Sequence, residues 1–91
     1  MAHILKHTAT ITGRITPATR PRYNAASIED AIFAAARIAA KYTCPMYVYP
    51  RYNGFGITYR LAGLSVCESY VKVNGNTAEW YTKDYGPSAA D

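Results

Sequence analysis

The sequence predicts an α+β domain, in which one helix packs on a mostly antiparallel sheet with the element order β-α-β-β-β-β. A Thr-rich segment alternates with a period of two, and one Ala-rich segment has helical periodicity. Two turn signals, Asn53-Gly54 and Asn74-Gly75-Asn76, each separate a pair of β-rich segments. With 91 residues the chain has room for one hydrophobic core. We therefore expect a single domain over residues 1–82 and a frayed tail over residues 83–91.

The first strand is expected over residues 7–16, where small and β-branched residues alternate with threonines. Pro17 and Pro21 cannot donate to a sheet ladder, and they bound a basic loop that contains Arg20, Arg22 and Tyr23. In a strand, His3 and His7 would share a face but lie too far apart to chelate one ion, so no metal site is expected.

The helix is predicted to begin after Ser27, whose hydroxyl can accept a hydrogen bond from a free backbone N–H of the first turn. Glu29 and Asp30 place negative charge where the helix dipole favours it, and Thr43 and Pro45 end the helix. Helical spacing predicts an inward stripe that is rich in alanine and consists of Ile28, Ala31, Ile32, Ala35, Ile38, Ala39 and Tyr42.

Four further strands are predicted at residues 46–49, 55–61, 66–73 and 77–82. Because side chains alternate between the faces of a sheet, parity assigns each face. The helix-facing set comprises Ile11, Ile15, Met46, Val48, Phe55, Ile57, Tyr59, Leu61, Val71, Val73 and Trp80. The opposite face comprises Thr8, Thr10, Thr12, Arg14, Tyr47, Tyr49, Arg51, Thr58, Arg60, Glu68, Tyr70 and Lys72.

Composition narrows the class of protein. Hydrophobic residues make up 49% and charged residues 18%, and no apolar run approaches the roughly 18 residues that cross a bilayer, so a membrane protein is not expected. The net charge is +4, with eight basic and two acidic residues before position 61, which favours an acidic or phosphate-rich partner. The first residues lack a secretory signal, so Cys44 and Cys67 are expected to be free thiols of a cytoplasmic protein.

Nothing in the sequence predicts an active site or a cofactor. Glu68 and Glu79 fall on neighbouring strands beside Lys72, which favours a solvated charge cluster over a catalytic carboxylate pair. Cys44 follows a helix carboxyl end, where the helix dipole disfavours a thiolate and makes the side chain a poorer nucleophile. We therefore expect a protein that is not an enzyme.

Tyrosine is the unusual feature, with nine residues against two phenylalanines. Tyrosine and arginine together form anchors of protein interfaces, and they also hold single-stranded nucleic acid by stacking on bases and neutralising phosphates. Tyrosine also simply favours strands, and the sequence leaves these three explanations open. The predicted binding surface comprises Arg14, Arg20, Arg22, Tyr23, Tyr47, Tyr49, Arg51, Arg60, Tyr70 and Lys72.

The Thr-rich strand, the capped helix Ser27–Ala40 and the strand Met46–Tyr49 with its following meander carry a resemblance that spans residues 7–61. This plan resembles small phage-encoded inhibitor proteins, among them type I anti-CRISPR proteins and phage inhibitors of host RNA polymerase. The resemblance is one of architecture and size, so it assigns no functional residue. It implies binding without catalysis to a host complex that handles nucleic acid, such as a CRISPR effector or a polymerase, in the host cytoplasm. Monomer and homodimer both remain open.

Overall fold

A computed structural model describes residues 2–13 and 27–84. Its elements confirm the predicted class and order, with one added 3-10 turn, η1. In chain order they are β1 (His3–Thr10), α1 (Ile28–Tyr42), β2 (Met46–Arg51), β3 (Gly54–Thr58), η1 (Ala62–Val66), β4 (Ser69–Asn74) and β5 (Thr77–Lys83). The five strands form one sheet in the spatial order β1-β5-β4-β2-β3, and every neighbouring pair is antiparallel. No helix in the described ranges combines the length and the apolar character needed to cross a membrane.

The helix begins and ends where its sequence predicts. The Ser27 hydroxyl accepts a hydrogen bond from the Asp30 N–H at 3.2 Å, which satisfies one donor of the first turn. Thr43 terminates the helix in the left-handed region at φ 53°. A β-branched residue is uncommon in that region, which the handedness of L-residues disfavours.

The core lies between α1 and the central strands β2, β3 and β4, which α1 contacts. Met46, Val48, Ile57, Val71 and Val73 are all buried there, as parity predicts. Phe55 and Trp80 also face the helix side, at the margin of the core. Short alanine side chains bring the helix backbone close to the sheet, and the buried helix residues are Ala31, Ile32, Ala35, Ala36, Ile38 and Ala39.

β1 differs from its prediction in both position and geometry. It begins at His3 and ends at Thr10, whereas the alternating pattern predicted a strand over residues 7–16. Its register against β5 shifts between Leu5 and His7, so Lys6 is an extra residue of a β-bulge. The bulge reverses the parity of the first half of the strand. His3 and His7 therefore lie on opposite faces of the sheet rather than on one.

β3 is shorter than predicted. It ends at Thr58, whose hydroxyl accepts a hydrogen bond from the Arg60 N–H at 3.1 Å as the chain turns away. Tyr59 and Leu61 were predicted to face the helix as strand residues, but both are exposed. They continue the alternation of Phe55 and Ile57 in the sequence, although the backbone is no longer a strand at these positions. The prediction of a strand over residues 55–61 was therefore wrong at its end.

The segment after β3 crosses the sheet. β3 and β4 each run antiparallel to β2 and flank it, so they are parallel to each other and their connection must pass over β2. Residues 62–66 form η1 within this connection, which delays β4 from the predicted residue 66 to Ser69. At the other end β5 reaches Lys83, and Asp84 donates its N–H to the Ala2 carbonyl at 2.9 Å. The rest of the predicted tail, residues 85–91, lies outside the described residues.

Candidate protein-binding surface

Tyrosines gather on the face of the sheet opposite α1, which we call the outer face. Tyr70 on β4 stacks on Tyr81 of β5 with ring centroids 5.2 Å apart and 15° between the planes. The ring of Tyr47 on β2 meets Tyr70 edge-on at 5.9 Å, and the His3 ring does so at 4.9 Å. Such offset and edge-to-face arrangements are the favourable ones for aromatic pairs. The outer face therefore carries a packed aromatic cluster rather than separate rings.

The connection between β3 and β4 covers one end of this cluster. Leu64 of η1 is only 3% exposed, and it lines one depression together with Leu61, His3 and Tyr70. A His3 ring nitrogen lies 2.7 Å from the Cys67 carbonyl oxygen, which ties the end of the connection to β1. The connection thus runs across the outer face.

Tyr70 is 9% exposed as a result. Parity placed it correctly on the outer face, but the prediction that it belongs to an open binding surface was wrong, because the chain covers its own ring. Tyr47 and Lys72 are half-buried on the same face. Lys72 lies directly opposite Glu79 of β5, a cross-strand pair of opposite charge on one face of the sheet.

The electrostatics of the cluster favour neutral phenols. Burial raises the pKa of Tyr70, and the nearby Tyr47 raises it further. Burial also raises the pKa of Tyr81, with a further contribution from Glu79, whose carboxylate accepts a hydrogen bond from the phenol at 3.2 Å. A phenol with a raised pKa is a poor base near neutral pH. The cluster is therefore suited to packing rather than to proton transfer.

A second group of tyrosines and arginines surrounds β3, the edge strand on one side of the sheet. Tyr49 and Arg51 of β2 lie over Gly56, where a Cβ atom would come within 2.5 Å of Tyr49 Cζ and 2.6 Å of Arg51 Cδ. Only a glycine lets these side chains rest on the backbone of β3 at this point. Tyr52, at the β2–β3 turn, is 99% exposed.

The other end of β3 presents the same two residue types. The Arg60 guanidinium lies 5.5 Å from the centre of the Tyr59 ring, which is within the range of a cation–π contact. Tyr59 is 64% exposed and Tyr42 is 52% exposed, although both were predicted to belong to the core. Both rings border an apolar groove of about 410 Å³ between α1 and β3, lined also by Ile38, Cys44, Met46 and Ile57.

We call the group formed by Tyr49, Arg51, Tyr52, Tyr59 and Arg60 the hairpin surface. Of the ten residues that the sequence predicts for binding, it contains Tyr49, Arg51 and Arg60. Tyr47, Tyr70 and Lys72 belong to the covered outer face. The remaining four, Arg14, Arg20, Arg22 and Tyr23, lie outside the described residues.

Sequence reasoning missed three residues that organise this region. Tyr81 follows from parity once Trp80 faces the helix, so its position on the outer face was available from the pattern. His3 reaches the outer face only because of the bulge at Lys6, and no local signal marks that bulge. Leu64 covers Tyr70 from the β3–β4 connection, and no alternating or helical pattern in the sequence predicts that contact.

The described part of the chain contains no cluster of side chains that could form a metal site. No three His, Cys, Asp or Glu side chains there are close enough to hold an ion, and Cys44 and Cys67 are both free thiols. No protein-family model matches the sequence, and no significant match was found among curated proteins or solved structures.

Proposed function

We propose that this chain is a non-enzymatic binding protein that docks on a protein complex through the hairpin surface. The observation that carries the proposal is the exposure of tyrosine and arginine together around one edge strand, with Tyr52 and Tyr59 mostly exposed to solvent. Interface cores are enriched in these two residue types, and truncating them costs the most affinity. The chain's other tyrosine cluster, around Tyr70, is already covered.

Binding without catalysis is consistent with the chemistry of the hairpin surface. Phenols, guanidinium groups and strand backbone supply contact area and hydrogen bonds, but neither a base that works near neutral pH nor an activated nucleophile. The class of partner comes from the resemblance to small phage-encoded inhibitors. It is a host complex that handles nucleic acid, such as a CRISPR effector or a polymerase, and the basic net charge suits an acidic surface on it.

Direct binding of single-stranded nucleic acid is the alternative function. It would use the outer face as a stacking platform for bases. The connection over the outer face weighs against it, because Leu64 lies where a base would have to approach Tyr70. Tyr47 and Tyr81 are half-buried, and both rings already pack against Tyr70.

The test compares the chain with the double variant Tyr49→Ala/Arg51→Ala. Immobilised protein captures its partner from nuclease-treated lysate of a bacterial host, and the affinity for that purified partner is then measured by titration. Loss of two central anchors should weaken binding at least about tenfold. The matched control is Phe33→Ala/Arg37→Ala, which removes one aromatic and one arginine from the exposed side of α1 and should bind like the parent chain.

A salt titration with single-stranded DNA and RNA separates the alternative. Contacts to Z phosphates make the logarithm of the binding constant fall with a slope of about −0.7Z against the logarithm of salt concentration. Binding with that dependence, by the purified chain without a protein partner, would replace the proposed function. If both double variants lose partner affinity equally, the hairpin surface is not the site that binds the partner.

A further inference from the structure

The two edge strands of the sheet differ in how they are protected. β1 carries Lys6 in a bulge, and both a charge and a bulge discourage pairing with another strand. β3, with the sequence Gly-Phe-Gly-Ile-Thr over residues 54–58, has neither charge, proline nor bulge. No described residue pairs with the edge of β3 that points away from β2. This edge therefore lacks the usual devices that keep strands of different molecules apart.

Pro50 determines which backbone groups β3 presents at its edge. In an antiparallel pair, alternate residue pairs exchange both of their hydrogen bonds. Pro50 faces Phe55 and has no N–H, so that pair cannot be a hydrogen-bonded one. The bonded pairs are instead Arg51–Gly54, Tyr49–Gly56 and Tyr47–Thr58. The N–H and C=O groups of Phe55 and Ile57 consequently point away from β2, toward the open edge.

We infer that two copies of this chain associate through β3, antiparallel, with a two-fold axis at Gly56. In that register Phe55 of each copy faces Ile57 of the other, and these are the two residues whose backbone groups point outward. Four hydrogen bonds form, and each outward donor meets an outward acceptor. Gly56 faces its own copy as a non-bonded pair with Cα atoms about 4.5 Å apart. The result is a continuous ten-stranded sheet.

The side chains around the β3 edge are also compatible with a second copy of the chain. The apolar groove lies beside the Ile57–Tyr59 end of β3, so two-fold pairing places the β2–β3 turn of the other copy next to Tyr59 at its rim. The same register carries Arg60 of each copy past the turn of the other, toward the exposed ring of Tyr52, rather than toward a second arginine. Tyr49 and Arg51 lie over Gly56 on the outer face, so the dimer presents these two residues of both copies near the two-fold axis, whereas Tyr52, Tyr59 and Arg60 lie at the seam.

Sedimentation equilibrium and amide hydrogen exchange on the full chain test this inference. We expect a monomer–dimer equilibrium, in which the amides of Phe55 and Ile57 become more protected as protein concentration rises. Because each copy carries +4, screening should strengthen association when salt rises from about 0.05 M to about 0.5 M. A monomer at all concentrations, or a dimer whose concentration-dependent protection falls on β1, would overturn it.

The matched variants are Phe55→Pro and Phe55→Ala. Both remove the ring, but only proline removes the outward N–H, and two-fold symmetry doubles each loss to two hydrogen bonds per dimer. We expect dimerisation at least about fivefold weaker in Phe55→Pro than in Phe55→Ala, because proline removes two hydrogen bonds from each dimer. Equal dimerisation by two folded variants contradicts the pairing. If Phe55→Pro does not fold, the exchange of Phe55 and Ile57 in the parent chain decides. Tyr49→Ala/Arg51→Ala leaves these backbone groups in place, so failure of the proposed function is distinguishable from failure of the dimer.

Discussion

The two faces of the sheet are both covered, but by different kinds of side chain. On the helix face, alanines such as Ala35 and Ala36 let α1 lie close to Val48 and Val73, so an entire helix closes the core. On the outer face, large rings fill the space and a single leucine, Leu64, covers one end of them. Packing on the helix face depends on several small side chains, whereas the cover of the outer face depends on one large side chain, Leu64. With both faces occupied, the most exposed tyrosines of the described ranges, Tyr42, Tyr52 and Tyr59, lie around β3.

Removing the cover of the outer face should have the largest effect on stability. Leu64→Ala deletes a buried side chain and opens a cavity above Tyr70, so we expect the free energy of unfolding to fall by about 2–5 kcal/mol. Urea denaturation measures it. Leu61→Ala is the control, because Leu61 belongs to the same connection but is exposed, and it should cost much less. Equal costs for both variants would show that Leu64 does not close the face.

Enlarging an alanine tests the helix face. Ala35→Leu forces a larger side chain between α1 and the sheet, and overpacking of this kind costs about 1–3 kcal/mol. Ala40→Leu makes the same change at an exposed position of α1, where the two residues have similar helix propensity. Thermal unfolding should separate the two variants clearly. If Ala35→Leu unfolds at the temperature of Ala40→Leu, the helix does not lie as close to the sheet as the alanines indicate.

Alkaline pH should weaken the outer face in preference to the helix face. The pKa values of Tyr70 and Tyr81 are raised in the folded protein from 10.0, so the folded state holds these protons more tightly than the unfolded chain does. Their contribution to stability is complete below pH 10 and is lost as pH rises through the folded-state values. Each phenol can change the free energy of unfolding by at most about 1.4 kcal/mol per pH unit.

Tyr81→Phe tests the origin of this pH dependence. Removing the Tyr81 hydroxyl removes one ionising group from the cluster, so the decline in stability above pH 10 should become less steep. Urea unfolding at a series of alkaline pH values measures the slope. Tyr52→Phe is the matched control, because it removes a hydroxyl outside the cluster from a side chain that is 99% exposed. Matching slopes in the parent chain and Tyr81→Phe would contradict the assignment.

Local pattern predicted the helix face well and the outer face poorly, for a physical reason. The inward positions of Ile57 and Val73 follow from alternation alone, because a one-residue slip would expose every apolar side chain of the strand. Tyr70 also obeys parity, yet its burial depends on a connection whose path no period describes. Tyr59 and Leu61 continue the alternation of β3 after the backbone has turned, so the sequence pattern predicts a longer strand than the structure contains.

The position of β1 next to β5 has a consequence for how the molecule is made. His3 pairs with Lys83, so strands from opposite ends of the described chain are neighbours in the sheet. A ribosome must release nearly the whole domain before the first strand finds its neighbour, and until then the β5 side of β1 stays open. Contacts between such distant positions slow folding, since a large loop must close before the pairing stabilises it. Of the strands that the structure describes, β1 therefore waits longest for its partner during synthesis.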